Sequence, residues 1–128
     1  MKRIPCEYFG EGEKIYFNIG RILQLEAVLK KPIGRILAEG LGITEVLVAF
    51  EIGLAHYKRR SSVFYQEKIQ EMMNNTDFNF NELMITVQKA LIASGVMGKK
   101  IYYQEFPEEA TEEDNANIEA EEALNEKN

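Results

Sequence analysis

The segment from Glu45 to Tyr57 constrains the fold more than any other part of the chain. Its apolar residues, Val46, Leu47, Val48, Ala49, Phe50, Ile52 and Leu54, run nearly all the way round a helical wheel. A helix with so little polar surface has to be covered on every side, so the rest of the chain must wrap it. A lipid bilayer is not the alternative cover. Val46 to Ala55 is only ten residues long and contains Glu51, about half of what a membrane span requires. The expectation is a soluble domain built round one central helix, with no membrane partner.

The neighbouring segments supply the wrapping. Ile4, Cys6 and Tyr8 alternate with Arg3, Pro5 and Glu7, Phe9-Gly10-Glu11-Gly12 supplies turn residues, and Ile15 and Phe17 alternate with Lys14 and Tyr16. That pattern predicts a β-hairpin, which is marginal alone in water and needs helices or a partner over its apolar face. Asn18 is placed to cap a helix from Ile19 to about Lys30, with Ile22, Leu25, Val28 and Leu29 on its apolar face. After Pro32, the residues Ile33, Ile36 and Leu37 keep helical spacing until Gly40 and Gly42 break it. Thr44 caps the central helix, and Lys58-Arg59-Arg60 stands where a helix C-terminus favours positive charge. Ser61 or Ser62 caps a fourth helix carrying Tyr65, Ile69, Met72 and Met73 on one face. Asn79 or Asn81 caps a fifth, striped by Leu83, Val87, Ala90, Leu91 and Ser94 and closed by Gly95. Ile101-Tyr102-Tyr103 reads as a short strand. The expected fold class is mainly α (α+β): an N-terminal β-hairpin followed by about five short helices.

Charge divides the chain in two. Of the net charge of -6, the stretch Pro107 to Asn128 carries -8, from nine acidic residues against one lysine, which leaves residues 1–106 at +2. Aromatic residues stop at Phe106, and beyond it only Ile118 and Leu124 are large and aliphatic. The expectation is one helical domain with its hairpin over 1–106 and a disordered acidic tail over 107–128. The nearly neutral body has no strong field to steer it to nucleic acid or an anionic membrane. The basic start Met1-Lys2-Arg3 is followed by Glu7, Gly10, Glu11 and Glu13 before a signal-peptide apolar core can form, and Cys6 is the only cysteine. A cytoplasmic, reducing location is expected, with no internal disulfide and no thiolate metal cluster.

Catalysis needs convergent polar groups, and few are available. His56 is the only imidazole and follows the most apolar helix, where it reads as a helix-end histidine rather than a general base. Cys6 has no partner thiol and reads as a small hydrophobe. No nucleophile-elbow, phosphate-loop, dinucleotide or zinc-protease motif occurs in the sequence. The chain is expected not to be an enzyme and to need neither cofactor nor metal. Ile36 to Val46 does imitate a helix-turn-helix, so a small DNA-binding regulator is the alternative reading. Against it, the second helix begins Glu45-Val46-Leu47-Val48, which offers no donor to base edges.

What remains is more apolar helix surface than five short helices need to bury among themselves, which points to self-association or a client protein. Met72 and Met73 suit either a core or an adaptable groove. The candidate protein-binding residues are Val48 and Ile52 on one face of the central helix, Tyr57 at its end, and Met72 and Met73. The pentapeptide Ile-Gly-Arg-Ile-Leu occurs at both Ile19 to Leu23 and Ile33 to Leu37. Two copies at that spacing are too short for a solenoid unit and reflect shared helix-start chemistry.

Phe17-Asn18-Ile19-Gly20-Arg21-Ile22-Leu23-Gln24-Leu25-Glu26, Pro32-Ile33-Gly34-Arg35-Ile36, Phe50-Glu51-Ile52-Gly53-Leu54 and Ala90-Leu91-Ile92-Ala93-Ser94-Gly95, taken in that order, resemble the small tail assembly chaperones of long-tailed phages and their gene transfer agent relatives. The likeness spans Phe17 to Gly98 and lies in the ordered set rather than in any one piece. It implies a phage or prophage protein that coats the tape-measure protein during tail assembly, keeps its long helices soluble and helps recruit tail-tube protein. It further implies a homo-oligomer in the bacterial host cytosol that is absent from the mature virion. Many such proteins have a longer, tube-binding form made by a ribosomal frameshift. Glu126-Lys127-Asn128 can be encoded GAA AAA AAC, so the slippery heptamer A AAA AAC is expected in the gene.

Overall fold

The computed structural model describes residues 2–57 and 60–126. Lys58 and Arg59 of the expected basic helix end, and Lys127 and Asn128, lie outside the described residues. The predicted hairpin is present: β1 (Ile4–Pro5) pairs antiparallel with β2 (Lys14–Ile15), Ile4 opposite Ile15 and Pro5 opposite Lys14. The Cys6 amide extends the ladder to the Glu13 carbonyl at 2.8 Å. Strand alternation buries Ile4, Cys6, Ile15 and Phe17 and leaves Pro5, Glu7 and Lys14 in solvent.

Helix α1 (Ile19–Leu29) starts at the expected cap, where Asn18 Oδ1 accepts the Arg21 amide at 2.9 Å. Ile22 and Leu25 are buried, but Val28, expected beside them, is exposed. Helix α2 (Ile33–Glu39) follows Pro32, and its first amide donates to Glu26 Oε2 of α1 at 2.7 Å. Both copies of the repeated pentapeptide therefore open a helix, and the second isoleucine of each, Ile22 and Ile36, is buried.

Helix α3 (Ile43–Gly53) begins one residue before Thr44, with Gly42 rather than Thr44 at the cap position. It also ends at Gly53, short of the expected Tyr57. The Gly53 carbonyl is taken by the Tyr16 amide at 3.3 Å and by Arg21 Nη1 at 2.8 Å, so hairpin and α1 groups occupy an acceptor that a longer helix would use. Helix α4 (Ser62–Met73) is capped by Ser61 and α5 (Phe80–Ala93) by Asn79. Gly95 after α5 adopts φ 83°, the left-handed value expected of a residue that ends a helix.

Two expectations fail beyond Gly98. Ile101-Tyr102-Tyr103 lies in a helix, α6 (Lys99–Glu105), instead of a strand. A lone strand of three residues has no ladder, whereas the helix satisfies its own backbone, Tyr102 to the Gly98 carbonyl and Phe106 to the Tyr102 carbonyl. Over Glu112–Glu126 the chain forms helix α7 rather than an irregular tail. Thr111 and Asp114 make a reciprocal capping box there, Thr111 Oγ1 accepting the Asp114 amide and Asp114 Oδ2 accepting the Thr111 amide, both at 3.1 Å. Alanine and glutamate then favour helix, and three acidic residues occupy the first turn. The described residues thus hold seven α-helices, a 3-10 turn at Pro107–Glu109 and the hairpin, in place of about five helices.

Helix α3 is the central element that its composition demands. Val46, Ala49 and Phe50 are fully buried, with α1, α4 and α5 packed against the helix. Phe9 from the hairpin turn stands edge-on to Phe50 at 4.9 Å and to Tyr65 of α4 at 4.8 Å. None of the described helices is long and apolar enough to cross a membrane.

Candidate functional site

The five candidate residues are placed at different depths. Val48 and Ile52 share one face of α3, but Val48 is half-buried and Ile52 is a core residue at 9% exposure. Tyr57 is half-buried and its hydroxyl accepts the Lys14 amide at 2.7 Å, so it holds β2 in place. Met72 is half-buried and Met73 is 54% exposed at the end of α4. The structure therefore separates the α3 pair, which packs inward, from the methionine pair, which reaches the surface.

Around Met72 the surface is concave. A cavity of about 200 Å³ is lined by Tyr8, Met72, Phe78 and Leu83, with Asn75, Asp77, Asn79 and Glu82 also on its wall. Apolar side chains with a few polar groups among them make an opening fit for one or two side chains of a partner. The end of α4 and the start of α5 also carry Phe80 and Met84, both only partly buried. Tyr8 is fixed by its hydroxyl, 3.1 Å from Thr86 Oγ1, and Leu83 is buried in the core. One rigid wall thus faces a flexible thioether, which re-packs readily against different shapes. Tyr8 and Phe78 escape sequence reasoning because they come from the hairpin and an interhelical loop.

A second apolar surface was not anticipated. Ile19, Leu23 and Ala27 fall at i, i+4 and i+8 on α1 and are exposed, Ile19 at 68% and Leu23 at 60%. Leu23 and Ala27, with Glu26, Lys30, Lys31 and Pro32, line a shallow groove between α1 and the turn into α2. Only the first copy of the pentapeptide shows it: its outer residues Ile19 and Leu23 are exposed, whereas Ile33 and Leu37 of the second copy are half-buried against the core.

Glu13, in the hairpin, forms a two-point ion pair with Arg60, Nη1 to Oε1 at 2.7 Å and Nη2 to Oε2. Burial, with Glu13 nearby, pushes the Cys6 thiol up to about 12, which leaves it protonated and inert. His56 lies beyond the end of α3, its Nδ1 3.2 Å from Arg21 Nη1 and its ring against Tyr16 and Tyr57 at 4.9 and 4.1 Å. His56 and Glu51 line neither the Met72 cavity nor the α1 groove. No group of three or more potential metal-ligating side chains occurs among the described residues.

Desolvation, then the charges of Arg21 and Arg3, lower the His56 pKa below its ordinary 6.5. Between the lowered value and 6.5 the unfolded chain binds more protons than the folded one, so stability rises with pH through that window and falls on acidification. A His56→Gln variant is expected to lose part of this slope. Urea midpoints of both proteins at about pH 5.5 and 7.5 check it, with the variant changing less between the two. Equal changes would remove the account of His56.

In the helix-turn-helix reading α3 would be the recognition helix, yet its buried residues include Val46, Ala49, Phe50 and Ile52 and its most exposed ones are Ile43 and Thr44. No protein-family model matches the chain, and neither do the curated proteins or the solved structures.

Proposed function

We propose that this chain is a non-catalytic tail assembly chaperone of the long-tailed phage type. It acts in the host cytosol, binding the apolar faces of tape-measure helices and helping to recruit tail-tube subunits. The observation that supports this reading best is the Met72 cavity, an apolar opening between Tyr8, Phe78 and Leu83; Met73, next in sequence on α4, is exposed. An amphipathic helix would seat one large apolar side chain there and lay its flanking residues along α4 and α5, the helix-in-groove mode. The exposed Ile19–Leu23–Ala27 stripe gives a long client helix a second apolar strip.

Co-expression with the long helical protein encoded nearest to it tests the proposal. The client is expected in the pellet when made alone and in the soluble fraction when made with the chain. Met72→Asp puts a carboxylate into the cavity and is expected to weaken client binding at least about tenfold, at an unchanged circular dichroism spectrum. A soluble fraction that is the same with the wild type, with Met72→Asp and with no chaperone would sink the reading. Tight binding to duplex DNA that falls steeply with salt would favour a regulator instead.

A further inference from the structure

The Met72 cavity has a floor and a rim of different character. Leu83 is buried and Tyr8, Met72 and Phe78 are half-buried, whereas Asn75, Asp77, Asn79 and Glu82 on its wall are exposed. An apolar floor inside a polar rim is the anatomy of a protein-binding patch. At about 200 Å³ the opening is smaller than the roughly 300–1,000 Å³ of small-molecule sites. Its occupant is therefore a side chain carried on a larger partner.

The rim sets the charge of that partner. Its two charged side chains, Asp77 and Glu82, are both carboxylates, and among the described residues neither forms an ion pair. Between Lys68 and Lys89 the sequence holds Glu71, Asp77 and Glu82 and no lysine or arginine. Lys68 is engaged by Glu71 at 3.6 Å, and Lys89 lines a different cleft, with Arg3 and Phe106. The amides of Asn75 and Asn79 both donate and accept hydrogen bonds, so they discriminate against neither sign of charge. The two carboxylates alone do so.

We propose that the segment received by this cavity is a basic amphipathic helix. One large apolar side chain sits against Met72 and Phe78, and Lys or Arg within one helical turn of it, on the same face, meets Asp77 and Glu82. Residues three or four apart on a helix are neighbours, so a single short segment supplies both the anchor and its charges. The proposal rests on reading the cavity as a client site and adds the chemistry of the client. Ion pairs at an exposed rim are weak and screened by salt, so the apolar anchor holds the helix and the rim selects among helices. An acidic helix with the same apolar stripe is turned away by the same two carboxylates.

Fluorescence anisotropy with the full chain and two labelled helical peptides tests it. The peptides share a leucine stripe and differ only four residues before and after the central leucine, with lysine in one and glutamate in the other. The wild type is expected to bind the lysine peptide about tenfold more tightly at low salt, the ratio falling towards one at about 0.5 M. Because α7 is acidic as well, a second comparison locates the effect: Asp77→Lys combined with Glu82→Lys is expected to prefer the glutamate peptide. Glu82 lies in the first turn of α5, where a carboxylate favours the helix. Asp77→Lys alone, in the turn before α5, leaves that helix intact and is expected to reduce the lysine preference about threefold. Equal binding of the two peptides to the wild type overturns the proposal and leaves the client-binding reading standing. So does a lysine preference undiminished in both variants, which would assign it to α7. Binding of neither peptide, or binding that Met72→Asp leaves unchanged, removes the cavity as the site and overturns both.

Discussion

Arg60→Ala is expected to destabilise the protein by about 3–5 kcal/mol, a large part of the stability of a domain this size. The side chains of Arg60 and Glu13 are 13% and 9% exposed, and they meet through two hydrogen bonds. The guanidinium carbon also lies 5.0 Å from the Phe64 ring centroid and 5.6 Å from that of Tyr57. Alanine would leave the Glu13 carboxylate desolvated and unpaired, and that penalty outweighs whatever net attraction the pair provided. The double change Glu13→Met with Arg60→Met removes both charges and should recover most of the loss. Urea unfolding of the three proteins separates the cases. A loss below about 1 kcal/mol for Arg60→Ala would rank the pair with ordinary surface bridges.

Gly53→Val should be equally severe for a steric reason. A Cβ at this position would stand 2.6 Å from Ile15 Cγ1, 2.8 Å from Ile15 Cδ1 and 2.9 Å from Phe17 Cζ. Ile15 and Phe17 are both fully buried, so neither can retreat without disturbing the hairpin. Overpacking of this kind costs about 1–3 kcal/mol for the single methyl of alanine, against a gain of about 0.5–1 kcal/mol from replacing a helical glycine. Alanine should therefore be a net loss, and the two further methyls of valine should push the cost to about 3 kcal/mol or beyond. Thermal melting checks both, with partial recovery expected when Ile15 is shortened to alanine. A Gly53→Ala protein that melts above the wild type would show that the hairpin yields at no cost.

These two sites mark the limit of what the amino-acid order discloses. The central helix was legible because Val46 to Leu54 leaves it almost no polar face, and the hairpin because its alternation has period two. Asn18 was legible as a cap because it precedes an apolar helical stripe, while for the fourth and fifth helices the order left Ser61 or Ser62 and Asn79 or Asn81 open, and the structure selects Ser61 and Asn79. Glu13 and Arg60 are 47 residues apart, and no local pattern pairs them. The closeness of Gly53 to Ile15 depends on how hairpin and helix stack. Helix α7 carried a local signal, Thr111 three residues before Asp114, but composition pointed to an irregular tail and outweighed it. The Met72 cavity was half legible: methionine at helical spacing suggested core or groove, and only the loop carrying Phe78 and the hairpin carrying Tyr8 make it concave.

The proposed function rests on Met72 meeting the client, and methyl NMR observes that contact directly. The chain has five methionines, so selectively labelled ε-methyl groups give a spectrum with few signals to assign. On titration with an amphipathic helical peptide from the tape-measure candidate, the Met72 and Met73 signals are expected to shift or broaden in a saturable way. Met97, which lies in the turn after α5, should stay in place. Saturable peptide binding with Met72 and Met73 unmoved, or no binding at millimolar peptide, would contradict the account.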